Sequence, residues 1–133
     1  MKLVIKGRLP GLNELIAAER TNRFKAAKLK RDAEEIVIWA SKASLRGKIP
    51  TPTIMHYLWV EPNKKRDKDN ISSFGRKVIQ DALVKAGYLP GDGWNWIEGF
   101  TDSFECDRMN PRIEVTFEDV KINLRRSNDE QSV

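Results

Sequence analysis

The sequence contains a single cysteine, Cys106, and a single histidine, His56, among its 133 residues. One residue of each kind cannot supply the ligands of a Cys/His zinc site within one chain, and one cysteine cannot form a disulfide framework. A cysteine nucleophile would have only His56 as its imidazole base. We therefore expect Cys106 to be a small buried residue of a strand and His56 to be a structural histidine.

Long apolar runs are also missing. No stretch approaches the ~18–20 apolar residues needed to span a bilayer, and the polar residues Lys2, Lys6 and Arg8 leave no apolar signal-peptide core near the N-terminus. With 40% hydrophobic and 32% charged residues, the composition is that of one globular domain, large enough to bury a core without disulfides. These features predict a soluble, cytoplasmic protein without a membrane partner.

Acidic residues are absent from one strongly basic stretch. Between residues 20 and 31 the chain carries six cations and no acid, namely Arg20, Arg23, Lys25, Lys28, Lys30 and Arg31. Such a run is usually the solvated face of a helix. A second basic cluster from Lys64 to Lys68 and a formal net charge of +5 make a surface that contacts DNA or RNA an equally good interpretation.

The hydrophobic patterns predict six elements in the order β-α-β-α-β-β. The predicted strands are Lys2–Leu9, Thr53–Pro62, Trp96–Cys106 and Arg112–Val120, and the predicted helices are Arg23–Arg46 and Ile71–Ala86. Pro10, Gly11 and Asn13 have turn chemistry, so residues 11–22 are predicted to be a loop with one helical turn. Asp107–Pro111 is predicted to be the turn of a hairpin between the last two strands.

These elements predict a small α/β (α+β) domain over residues 1–120, with a mixed four-stranded sheet and two main helices. The polar residues 121–133 are predicted to form a flexible tail. Trp39, on the first helix, is expected to pack in the core.

Two acids lie inside the second basic cluster, in the sequence Lys64-Lys65-Arg66-Asp67-Lys68-Asp69-Asn70. If the backbone is extended here, side chains at i and i+2 point to the same face, so that Asp67 and Asp69 form a pair. Carboxylates that border a phosphate-binding surface are typical ligands of Mg²⁺. The alternative is that Asp69 or Asn70 caps the following helix while Asp67 lies on a solvated turn.

Lys77 and Asp92 are further candidates. Lys77 lies on the polar ridge of the second helix that begins at Asn70, where it could reach a phosphate or pair with Asp81 four residues later. Asp92 lies between two glycines in a turn-rich loop. Trp94 and Trp96 follow it, and they could pack under the sheet, form an oligomer contact or stack on unpaired bases. We expect one of them to pack.

The combination of Arg66-Asp67-Lys68-Asp69-Asn70, Lys77, Asp81-Ala82-Leu83, Ala86-Gly87-Tyr88 and Asp92 resembles the RusA family of Holliday junction resolvases, which are largely phage-borne. The resemblance covers most of the chain, including the N-terminal strand and Asn13. It implies a homodimeric enzyme that depends on Mg²⁺, with Mn²⁺ as a substitute, and cuts four-way junctions or other branched DNA by paired nicks.

The resemblance also implies roles for individual residues. Asp67, Asp69 and Asp92 would be catalytic metal ligands and Lys77 the active-site lysine. The family pattern places that lysine four residues after the second aspartate, where this chain has Ser73. The DNA backbone would be bound by the basic residues Arg20, Arg23, Lys25, Lys28, Lys64, Lys65 and Arg66.

Two other classes of function remain open. One is a non-catalytic DNA-binding or phage structural protein, in which the acids are only caps and turns. The other is a metal-dependent nuclease that acts on flaps, forks or RNA.

Overall fold

The computed structural model describes residues 1–121 of the chain. It contains four strands and three helices: β1 (Lys2–Lys6), α1 (Leu12–Thr21), α2 (Arg23–Ser44), β2 (Thr53–Glu61), α3 (Lys68–Lys85), β3 (Ile97–Cys106) and β4 (Arg112–Asp119). The predicted α+β domain with a mixed four-stranded sheet is confirmed. The predicted tail lies, from residue 122 onwards, outside the described residues. No helix within residues 1–121 is both long and apolar enough to cross a bilayer.

The strands form one sheet in the order β1-β4-β2-β3. β2 pairs with β3 in parallel and with β4 antiparallel, so β3 is an edge strand. The predicted hairpin between β3 and β4 is therefore wrong. Residues 107–111 instead carry the chain across the end of β2, where the Asp107 amide donates to the Glu61 carbonyl at 2.8 Å. Ile113 and Val115 of β4 are buried in the core.

The prediction of a loop at residues 11–22 is also wrong, because α1 is a helix of 10 residues. Gly11 is its N-cap, and the Gly11 amide donates to Glu14 Oε1 at 3.3 Å. The turn-forming residues thus mark the start of a helix. None of the residues of α1 is fully buried. Leu15 is partly buried against the core.

Two residues expected in the core are exposed. The buried stripe of α2 includes Ala33 and Val37, and Trp39 lies about 200° around the helix from Val37. Its side chain is therefore 70% exposed. Cys106 is also exposed, because it is the last residue of the edge strand β3.

α3 packs closely on the sheet at Gly75. A Cβ atom at this position would lie 2.8 Å from Cη2 and Cζ3 of Trp59. Trp59 cannot move away easily, since its ring stacks on Tyr57 with centroids 5.5 Å apart and its Nε1 donates to Asp102 at 2.8 Å. Gly75 therefore sets the distance between α3 and β2, and with it the position of the first turn of α3.

Gly75→Ala is expected to lower the free energy of unfolding by about 1–3 kcal/mol, because the added methyl group overpacks the core by more than alanine gains in helix propensity. Urea denaturation measures the change. Gly47→Ala is the matched control, since a Cβ there meets no atom within 4 Å. Equal stability of the wild type and Gly75→Ala would show that Trp59 can shift freely.

Candidate active site

The first turn of α3 lies beside the C-terminal ends of β2 and β3, at the edge of an open depression. The depression has a volume of about 1000 Å³ and is lined by Glu61, Asn63, Lys64, Arg66, Asp67, Lys68, Asp69, Ile71, Phe104, Glu105 and Cys106. The structure thus brings the predicted pair Asp67 and Asp69 to the same concave surface as several cations.

The two aspartates reach this surface in different ways. α3 begins at Lys68, three residues before the predicted start, so Asp67 has extended backbone and Asp69 lies in the first helical turn. The prediction that both share one face of an extended segment is therefore wrong for Asp69. Asp67 occupies the N-cap position but its side chain makes no capping hydrogen bond. Within residues 1–121, neither carboxylate forms a hydrogen bond or an ion pair with another side chain.

Arg66, one of the predicted DNA-binding residues, is engaged inside the protein. Its Nε and Nη2 atoms donate to the two oxygens of the Glu61 carboxylate, each at 2.9 Å, and Nη1 donates to the Leu9 carbonyl at 3.1 Å. The side chains of Arg66 and Glu61 are only 14% and 8% exposed. This bidentate pair fixes the segment that leads into α3.

Asn70 connects the start of α1 to the first turn of α3. Its Oδ1 atom accepts a hydrogen bond from the Asn13 amide at 2.7 Å. A Cβ atom on Gly11 would lie 2.7 Å from that oxygen, so Gly11 allows the loop before α1 to approach α3. The residues around Asp67 and Asp69 are thus held by contacts with the N-terminal segment.

Lys77 and Asp92 form a separate cluster farther along α3. Lys77 Nζ lies 3.2 Å from Asp81 Oδ1 and 3.4 Å from Asp92 Oδ2. The hydrogen bond to Asp81 raises the pKa of Lys77 above its ordinary value, which keeps the amine protonated. Burial alone would raise the pKa of Asp81, but hydrogen bonds from Lys30 and Lys77 outweigh it and lower that pKa.

Within residues 1–121, no hydrogen bond or ion pair joins the side chains of the two clusters. Lys77 follows Asp69 by eight residues, which is about 12 Å along the helix axis. In the part of the chain that the structure describes, no three Asp, Glu, His or Cys side chains are arranged to hold a metal ion. The structure therefore joins Asp67 with Asp69 and Lys77 with Asp92, and leaves the two pairs apart. At Ser73, the alternative lysine position, the hydroxyl donates to the Asp69 carbonyl at 2.7 Å.

Sequence reasoning missed the contribution of β3 to the depression. Phe104, Glu105 and Cys106 line it, and Lys68 Nζ lies 5.6 Å from the centroid of the Phe104 ring. These residues follow Asp67 by almost 40 positions, and only the parallel pairing of β3 with β2 brings them there. No local motif marks them.

The other predicted basic residues lie at the surface. Lys64 and Lys65 are exposed beside the depression, and Arg20, Arg23, Lys25 and Lys28 are exposed on α1 and α2. Lys28 Nζ pairs with Asp32 at 2.6 Å.

Comparison of the chain with protein-family models finds no match, and comparison with curated proteins finds none either. The resemblance to the RusA family therefore stays a prediction from the residues.

Proposed function

We propose that this chain is a Mg²⁺-dependent endonuclease that cuts four-way or otherwise branched DNA in recombination and repair. One observation carries the proposal. The carboxylates of Asp67 and Asp69 are exposed and unpaired within residues 1–121, and they share an open depression with Lys64 and Lys68. Their position beside these lysines suits the binding of a cation next to a polyanion.

The donor atoms fit Mg²⁺. This ion takes one or two carboxylates, several waters and substrate phosphate oxygens. When bound, it would activate a water molecule and stabilise charge on the phosphoryl oxygens. Lys64 and Lys68 would hold the DNA backbone at the rim. The N-terminus of α3, with its unsatisfied amides, adds a partial positive charge that favours a phosphate at the same place.

We infer that Asp92 contributes to the site in a dimer. In one protomer it pairs with Lys77, well down α3 from Asp69. If the interface of a two-fold dimer runs along this face of α3, the same surfaces meet in reverse order. The first turn of one α3 would then face the Asp92 loop of the other subunit, and the partner subunit's Asp92 would complete each site. A two-fold dimer also presents two such sites to two opposed strands of a junction.

Mixed dimers test this arrangement. Asp69→Asn and Asp92→Asn should each be inactive alone, whereas a refolded equal mixture should regain about a quarter of wild-type nicking, because half of the dimers are mixed and each has one intact composite site. Strand nicking of a four-way junction in Mg²⁺ measures the recovery.

An equal mixture of Asp69→Asn with Asp67→Asn is the matched control, since both substitutions fall in the same half of the site. That mixture should stay inactive. Failure of the Asp69→Asn and Asp92→Asn mixture to regain activity, with mixed dimers demonstrated, would contradict a shared site.

The separation of Asp92 from Asp67 and Asp69 also favours a second candidate, a non-catalytic DNA-binding protein. Calorimetric titration with Mg²⁺ and Mn²⁺ separates the two. Binding that Asp69→Asn removes supports the nuclease, and DNA binding without any metal binding supports the second candidate.

A further inference from the structure

The loop after Asp92 presents one tryptophan outward on a closed turn. The amides of Trp96 and Ile97 both donate to the Gly93 carbonyl, each at 3.1 Å. The Trp96 ring covers Gly91, where a Cβ atom would lie 2.9 Å from Trp96 Cδ1. Trp96 thus packs on its own loop and is 37% exposed, so it does not lie in the core. Trp94 is 97% exposed at the tip of this turn.

The surroundings of Trp94 differ from those of Trp39, which is also exposed. Trp39 lies on α2 one turn from the exposed Ile36 and from Ala43, which gives it apolar neighbours on the same helical stripe. Trp94 is flanked by Gly93 and Asn95. A protein-binding hot spot needs a ring of contacts that excludes water, and the neighbours of Trp94 in the turn supply no such ring. An exposed aromatic ring with polar neighbours is instead able to stack on a planar group with polar edges, such as a nucleobase.

Another exposed aromatic side chain lies on β3, the strand that follows this loop. Phe100 is the fourth residue of β3 and is 50% exposed. The guanidinium carbon of Arg76 lies 4.6 Å from its ring centroid, and Arg76 is held there by an ion pair with Asp102. Lys77, the next residue of α3, forms an ion pair with Asp92 in the loop before β3. Exposed aromatic rings interleaved with cations are the recurrent features of surfaces that bind unpaired nucleotides.

We propose that Trp94 stacks on an unpaired base of the DNA, with the exposed Lys77 near an adjacent phosphate. Branch points and single strands offer such bases, and an intact linear duplex does not. Trp94 would then give the protein its preference for branched over linear DNA. The preference for branch points rests on the proposed nuclease function, whereas the stacking itself does not.

Binding in EDTA tests the stacking without cleavage. The probes are a four-way junction, a single-stranded oligonucleotide and a linear duplex, each with one 2-aminopurine whose fluorescence reports stacking. Trp94→Ala should weaken binding of the first two by about tenfold and leave the duplex unchanged. Trp94→Phe, which keeps a ring, should retain most of the affinity, and Trp39→Ala should bind all three as the wild type does.

Three results would overturn the inference: unchanged junction and single-strand affinity in Trp94→Ala, an equal loss on all three probes, or conversion of a dimer to a monomer by Trp94→Ala in light scattering. The last result would assign Trp94 to a contact with a second copy of the chain.

If the wild type cuts no DNA in Mg²⁺ but Trp94→Ala still loses single-strand binding, the nuclease proposal fails and the stacking stands. If the wild type cuts junctions and Trp94→Ala binds normally, the stacking alone fails.

Discussion

Asp69→Asn is expected to abolish cleavage of branched DNA, with a loss of at least ~100-fold, while leaving binding intact or tighter. The substitution keeps the size of the side chain and removes one of the carboxylates that would hold the metal ion. It also removes a negative charge that faces the phosphates, which explains why affinity should not fall. Nicking rates in Mg²⁺ and equilibrium binding in EDTA measure the two effects on the same preparation.

The matched control is Asp32→Asn, which neutralises an exposed aspartate on α2 that pairs with Lys28. It has the same change of net charge and lies outside the depression, so cleavage should stay close to that of the wild type. Parallel loss of cleavage and binding in folded Asp69→Asn would contradict a metal-binding role.

Arg66→Ala is expected to lower the free energy of unfolding by about 3–5 kcal/mol, because it leaves the buried Glu61 carboxylate without its bidentate partner. The remaining cation near Glu61 is Arg8, whose Nη1 lies 3.8 Å from Oε1. The substitution also removes the donor to the Leu9 carbonyl. Urea denaturation measures the loss, and we expect cleavage to fall with the folded fraction.

Lys65→Ala separates the structural role of Arg66 from DNA binding. Lys65 is exposed, so its removal should change stability by no more than about 0.5 kcal/mol. It should nevertheless weaken junction binding and reduce the dependence of affinity on salt. If Arg66→Ala is as stable as Lys65→Ala, the buried pair has no role in holding the start of α3.

The elements that were predicted well are those in which one periodic pattern dominates. β2 was predicted to within one residue because aromatic and β-branched side chains fill it from Thr53 to Glu61. α2 and α3 have long buried stripes that repeat every three or four residues. α1 has no fully buried residue, and the turn chemistry of the proline and glycine before it predicts a loop instead. The position of β4 between β1 and β2 depends on pairing between distant segments, and adjacency in the sequence favours a hairpin instead.

The part of the candidate site that lies in one short segment of the sequence could be predicted. Asp67 and Asp69 are marked by their spacing among lysines, and the structure places both at one depression. The arrangement around them depends on contacts across the fold. Arg66 looks like a DNA-binding residue in the basic cluster, and only the position of Glu61 at the end of β2 shows its internal role. Asp69 lies in the first turn of α3, whereas the loop after α3 brings Asp92 to Lys77, eight residues farther along the helix.

The most direct test of the nuclease proposal is strand mapping on a synthetic four-way junction and a matched linear duplex, in Mg²⁺ and in EDTA. The proposal predicts symmetric nicks on two opposed strands of the junction, only in Mg²⁺, with little cutting of the duplex. Equal cutting of junction and duplex would make the protein a general nuclease. Binding without nicks in either Mg²⁺ or Mn²⁺ would contradict the proposal and leave a DNA-binding protein.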